Sequence, residues 1–126
     1  MKVWTAVKSW VKPLLVMGLA AVLGALSTFG QPAAMAASVD EGSKVFSANC
    51  AACHIGGGNN IMNMKTLKQD ALEKFLAGYG TGHDEGAIVK QVTYGKGMMP
   101  AFRNRLTEDQ IASVAAYVKS QSESGW

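Results

Sequence analysis

The chain has 126 residues, two cysteines and a formal net charge of +3, which admits one domain of ordinary size and excludes a multi-domain enzyme. Lys2, Lys8 and Lys12 precede an uncharged stretch from 13 to 39, and all 9 acidic residues follow it. Without those lysines the positive count falls from 12 to 9 and balances the acids, so the basic character belongs to the leading segment and a nucleic-acid partner loses its electrostatic basis.

That leading segment has the pattern of an export signal. A short lysine-bearing start is followed by an apolar run from Leu14 to Phe29, and Gln31-Pro32-Ala33-Ala34-Met35-Ala36 ends in a small-x-small site. Cleavage is predicted after Ala36, which divides the chain into a signal peptide, 1–36, and one domain, 37–126. The rival is an uncleaved membrane anchor. Ser27, Thr28, Gly30, Gln31 and Pro32 cut the apolar run below the ~20 residues a spanning helix needs, so no stable membrane insertion of the mature form is expected. An organelle transit peptide would be richer in Arg and Ser. The remaining 90 residues include 11 glycines, and a domain of this kind buries too little apolar surface to stand without a disulfide, a metal or a cofactor.

Ser38-Val39-Asp40-Glu41 forms a capping-box pattern, so a first helix should start there and run to about Asn49, with Gly42 and Phe46 on one face. Ile55 to Asn60 contains three consecutive glycines and no helical period, and reads as a loop. Thr66-Leu67-Lys68-Gln69 repeats the capping pattern and predicts a short helix with Leu72, Phe75 and Leu76 on one side, ending at Gly78. Gly78 to Gly82 reads as a flexible link, and His83 within that region as a solvated loop histidine.

Asp84 and Glu85 favour the start of a third helix that uses Ile88, Val89 and Val92 and stops at Gly95. The fourth helix has the clearest pattern. Thr107 caps it, and Ile111, Val114, Ala115 and Val118 recur at helical spacing. No alternating β-branched run competes, so the fold class is all-α, about four short helices with Gly-rich loops.

Both cysteines fall in Cys50-Ala51-Ala52-Cys53-His54. Two thiols separated by two residues can take the two vinyl groups of one haem as thioethers, with the adjacent imidazole held under the iron. A local disulfide and a thioredoxin-like thiol pair are the competing readings, and the latter belongs beside a βαβ pattern that is not present. A tetrahedral zinc site would need four ligands, and His83 is the only other His or Cys. One covalent haem c is therefore the expected cofactor, with iron as its metal.

The far side of the iron wants a soft or imidazole ligand, and a thioether raises the potential as a one-electron carrier requires. Met62 and Met64 read as pocket lining. Met98-Met99-Pro100 has the stiffer backbone, because the proline restricts the residue before it to extended conformations. Adjacent extended side chains point to opposite sides, so only one of the pair can face the iron. Restriction by Pro100 favours Met99.

Asn49 to His54, Gln91 to Phe102, Arg105-Leu106 and Ala115 to Val118 resemble the class I c-type cytochromes, and among them the cytochrome c6 family of photosynthetic carriers, over essentially all of 38–126. The resemblance implies the class I cytochrome c fold around one haem. It also implies a soluble, non-enzymatic carrier in the thylakoid lumen, or a periplasm-like compartment, taking electrons from cytochrome f of the cytochrome b6f complex to photosystem I. A respiratory carrier donating to a terminal oxidase is the alternative within the class, and a CxxC thiol-disulfide oxidoreductase using Cys50 the alternative outside it.

By position, Cys50 and Cys53 match the thioether cysteines, His54 and Met99 the axial ligands, Gln91 a glutamine near the haem, and Arg105 an arginine of the docking rim. Gly42 and Phe46 match a helix face that packs near Tyr117. Tyr94, where asparagine is common, and the length of 78–86 depart from the pattern.

Overall fold

In the computed structural model, which describes residues 37–126, Ser38 opens helix α1 (Val39–Asn49) by accepting the Glu41 N–H on its hydroxyl. The other half of the expected capping box does not form, because the Glu41 carboxylate turns to Lys44 at 3.5 Å. The leading segment, with the cleavage expected after Ala36, lies outside the described residues.

The chain continues into a one-turn helix, α2 (Ala51–His54), and a 3-10 turn, Ile55–Gly57. Helices α3 (Gln69–Phe75), α4 (Glu85–Tyr94) and α5 (Glu108–Ser124) follow. Five α-helices thus stand among the described residues where the periodicity predicts four, the addition being a single turn too short to show a period. Among the described residues there is no strand beyond an isolated antiparallel bridge between Lys96 and Met99. No described helix is long and apolar enough to cross a membrane.

Helices α1 and α5 cross at Gly42. A Cβ at that position would lie 2.0 Å from the Ser113 carbonyl oxygen and 2.7 Å from the Tyr117 Cβ, so the crossing distance requires a glycine. One turn later Phe46 packs on Tyr117 with ring centroids 5.3 Å apart. α5 supplies the buried stripe Ile111, Val114, Ala115 and Val118 that its spacing predicts, and its Thr107–Gln110 capping box is complete. α4 turns Ala87, Ile88 and Val92 to the same core, with Val89 at its edge.

α3 departs from expectation at both ends. Thr66 Oγ1 accepts only from the Lys68 N–H, Lys68 occupies the cap with no side-chain hydrogen bond, and the helix stops at Phe75, short of Gly78. The Gln69 amide, expected to reach back and close a box, instead bonds Glu73 and His83.

The 78–82 link is anchored. Tyr79 is 1% exposed, and its hydroxyl meets the Ser122 hydroxyl of α5 at 3.1 Å.

Candidate functional site

A cavity of about 450 Å³ opens between α1, α2, α3, α4 and the segment from Lys96 to Arg105, within the range of about 300–1,000 Å³ usual for cofactor sites. Cys50, Cys53, His54, Gln91, Met99 and Arg105 all border it, amid Phe46, Leu72, Ile88, Val92 and Phe102. The six residues singled out in the sequence therefore meet at one place.

The end of α1 positions the thiols. Cys50 N–H donates to the Phe46 carbonyl at 2.8 Å, and the Cys50 carbonyl accepts from Cys53 and His54, at 3.1 and 2.9 Å. Cys50 is half-buried and Cys53 exposed. Burial, with Cys53 adding a smaller contribution, pushes the Cys50 thiol up to about 11. A nucleophilic redox cysteine needs its thiolate favoured at neutral pH, so this environment disfavours the thiol-disulfide reading.

The imidazole of His54 is held from behind. Its Nδ1 lies 2.9 Å from the Gly58 carbonyl oxygen. A carbonyl only accepts, so in the neutral ring Nδ1 carries the proton and Nε2 presents a lone pair, the tautomer a metal ligand requires. The turn that delivers this carbonyl passes through Gly56 and Gly57 at φ +57° and +71°, which side chains disfavour. Asn60 closes the same turn, its side-chain amide on the Ala52 carbonyl and its N–H on that of Cys53, both at 3.0 Å.

The thioether arrives on a tight turn. Gly95 sits at φ +68°, and a Cβ there would lie 2.4 Å from the Met99 carbonyl oxygen. Lys96 and Met99 exchange backbone hydrogen bonds at 3.0 and 3.1 Å. Met99 is half-buried, and the Gln91 Nε2 donates to its sulfur at 3.7 Å. Met98 touches the cavity mouth but is 76% exposed.

Arg105 stands on the cavity rim with its guanidinium 5.4 Å above the Phe102 ring. Beside it, Arg103 covers Tyr94 at 5.6 Å.

Met62 borders the cavity as expected, whereas Met64 does not and is 72% exposed. A turn closed by Lys65 N–H on the Met62 carbonyl at 2.8 Å carries Met64 outward.

His83 is not a solvated loop residue. It is half-buried at φ +51°, with Nε2 2.8 Å from Glu73 and 2.9 Å from the Gln69 amide, and its ring stacks on Tyr79. These partners lie 10 and 14 residues away, which is why the local glycine-rich context gave no sign of them.

Two thiols, an imidazole with its Nε2 free and a hydrogen-bonded thioether, set in an apolar cavity, are a donor set that fits one covalently held haem. The chain's relatives carry the same implication. Residues 37–118 match the family described as cytochrome C oxidase, cbb3-type, subunit III. Cytochrome c6 of Thermosynechococcus vestitus is 56% identical over 95 residues, 75% of this chain and 80% of that protein. Cytochrome c6 of a Picosynechococcus strain is 52% identical over 114 residues, 89% of this chain and 96% of its own. The solved structure of cytochrome c6 from the diatom Phaeodactylum tricornutum superimposes with a TM-score of 0.67 at 53% identity, covering 71% of this chain and 99% of that one.

The chain belongs to the cytochrome c6 family. Its helices take the class I cytochrome c fold of that family, and it is an electron-transport protein with covalently attached haem c. Bound haem supplies a reversible one-electron ferric/ferrous couple. The residues that would hold and tune it are His54, with its Nδ1 held by the Gly58 carbonyl, and Met99, whose sulfur accepts from Gln91, set among apolar walls.

Three contributors to the site carried no sequence signal toward it: the Gly58 carbonyl, Asn60, and Trp126, whose indole lies over the turn at Gly57. Asn60 and the glycines read only as loop residues, and a backbone carbonyl is invisible to motif reasoning.

Proposed function

We propose that the mature protein is a non-enzymatic carrier of single electrons in the thylakoid lumen, accepting from cytochrome f of the cytochrome b6f complex and donating to photosystem I. In this reading Cys50 and Cys53 form the thioethers, His54 and Met99 ligate the iron, Gln91 tunes the Met99 sulfur, and Arg105 belongs to the docking rim. The observation that carries it is the convergence of two thiols, one oriented imidazole and one thioether on a single apolar cavity. The photosynthetic partners rest on likeness to cytochrome c6 and on the exposed cation at the cavity rim. Ligands that stay in place through the cycle keep reorganisation small.

Export with removal of 1–36 completes the reading.

Flash-induced oxidation of the purified holoprotein by isolated photosystem I is the test. Rapid, saturable, salt-dependent oxidation supports the assignment, and no oxidation at micromolar carrier refutes the acceptor. The likeness of 37–118 to a cbb3-type oxidase subunit favours a second reading, donation to a terminal oxidase. Oxygen-dependent oxidation by oxidase-containing membranes, without light, distinguishes it.

A further inference from the structure

The Gly58 carbonyl that orients His54 belongs to a turn of three glycines with little side-chain packing of its own. Trp126, two residues beyond the last helix, supplies what the turn lacks. The Trp126 indole lies flat against Gly57, so close that a Cβ on Gly57 would come within 2.3 Å of Trp126 Cδ2 and Cγ. Its Nε1–H donates to the Leu67 carbonyl at 2.9 Å. Leu67 N–H in turn donates to the Gly57 carbonyl at 2.7 Å. A chain of contacts therefore runs from the indole N–H to the Leu67 carbonyl, across the Leu67 Cα to its N–H and the Gly57 carbonyl, then to Gly58 and the His54 Nδ1–H.

The indole is itself fixed. It packs at 5.3 Å on Phe46 of α1 and edge-on at 6.0 Å to Tyr117 of α5, and the preceding Gly125 N–H bonds the Gln121 carbonyl at 2.9 Å. Phe46 also borders the cavity. The two main helices thus hold the indole, and the indole holds the turn.

We propose that Trp126 is a positioning residue for the proximal imidazole, fixing the Gly57–Gly58 turn so that the Gly58 carbonyl stays in line with His54 Nδ1–H. This rests on the assignment of His54 as an iron ligand. A well-aligned acceptor on Nδ1–H makes the imidazole a stronger donor to iron and favours the ferric state. Loosening the turn weakens that hydrogen bond and shifts the couple toward ferrous. Packing alone predicts a loss of stability with no such shift.

The test uses the full haem-loaded protein and Trp126→Phe, which keeps an aromatic ring against Gly57 and Phe46 but removes the N–H donor. The expected result has two parts. Solvent exchange of His54 Nδ1–H by NMR accelerates, and the ferric-to-ferrous ratio at fixed potential falls about threefold, roughly half of the 59 mV that a tenfold change represents for a one-electron couple. A variant that melts earlier yet keeps the parent's potential and Nδ1–H exchange overturns the proposal and leaves Trp126 as a packing residue.

If Trp126→Phe does not yield holoprotein, the parent protein decides. The Trp126 Nε1–H and His54 Nδ1–H should exchange through one opening, with the same dependence on denaturant, and separate openings overturn the proposal. The ligand assignment fails differently, since a parent holoprotein whose His54 ring protons show no paramagnetic shift in the ferric state would remove His54 from the iron whatever Trp126 does.

Discussion

At Met98 and Met99 the same side chain stands twice, and the backbone separates the two roles. Met99 has its N–H and carbonyl both bonded to Lys96 and its sulfur against Gln91, while Met98 is mostly in solvent. Met99→Ala should abolish the weak ferric absorption at the red end of the visible spectrum and lower the potential, because water or a harder ligand replaces the thioether. Met98→Ala should leave both nearly unchanged, and the reverse pattern in redox-titrated spectra would move the ligand to Met98. Arg105 acts at the surface. Arg105→Gln should slow association with photosystem I severalfold at low salt without changing the haem spectrum, an effect that fades as the Debye length falls to about 10 Å at 0.1 M. Equal rates at low salt would take Arg105 off the rim's docking site.

At the scale of elements, the α1–α5 crossing carries much of the fold and tolerates the least change. Gly42→Ala places a methyl 2.0 Å from the Ser113 carbonyl oxygen, so the helices must separate. Overpacking of this kind costs about 1–3 kcal/mol. In a domain of this size each kcal/mol lowers Tm by about 4–8 °C, which calorimetry of the holoprotein measures. Thr107→Ala removes one half of the α5 capping box and should cost about 1 kcal/mol. A separated crossing also moves Phe46 and Tyr117 from the Trp126 indole, so Gly42→Ala should disturb the haem environment, whereas Thr107→Ala should lower stability alone.

At the scale of the whole molecule, the cavity occupies the space where a larger domain would have its core. Cys50, Leu67, Leu76 and Met99 lie only partly buried around the buried cluster, and Ile61 and Met62 remain 53% and 48% exposed. The expectation is that folding depends on haem. Cys53→Ala or His54→Ala should give little folded holoprotein on export, and a helical apoprotein that melts cooperatively in circular dichroism would contradict the burial argument. Mass spectrometry of the exported protein should find Ala37 at the start of the mature chain, and retention of Lys2 to Lys12 would establish an anchor.

The amino-acid sequence by itself determined the features that depend on neighbours along the chain. Cys50, Cys53 and His54 carry their chemistry within five residues, Pro100 stiffens Met99 directly, and the stripe and cap of α5 repeat within single helical turns. Likeness to a family then placed Gln91 and Arg105, and both border the cavity. Only the tertiary structure decided what each of these residues touches from a distance. The Gln69 amide could have closed a cap beside Thr66, but His83 and Glu73 took it, and α3 starts later as a result. The loop histidine became half-buried because Tyr79 and Glu73 came together around it. The indole of Trp126 bonds a carbonyl 59 residues earlier and lies over a glycine in the turn that holds His54. Local pattern records covalent spacing and helical period, whereas such contacts arise only when distant elements pack, as α1 on α5 brings Phe46, Tyr117 and Trp126 together.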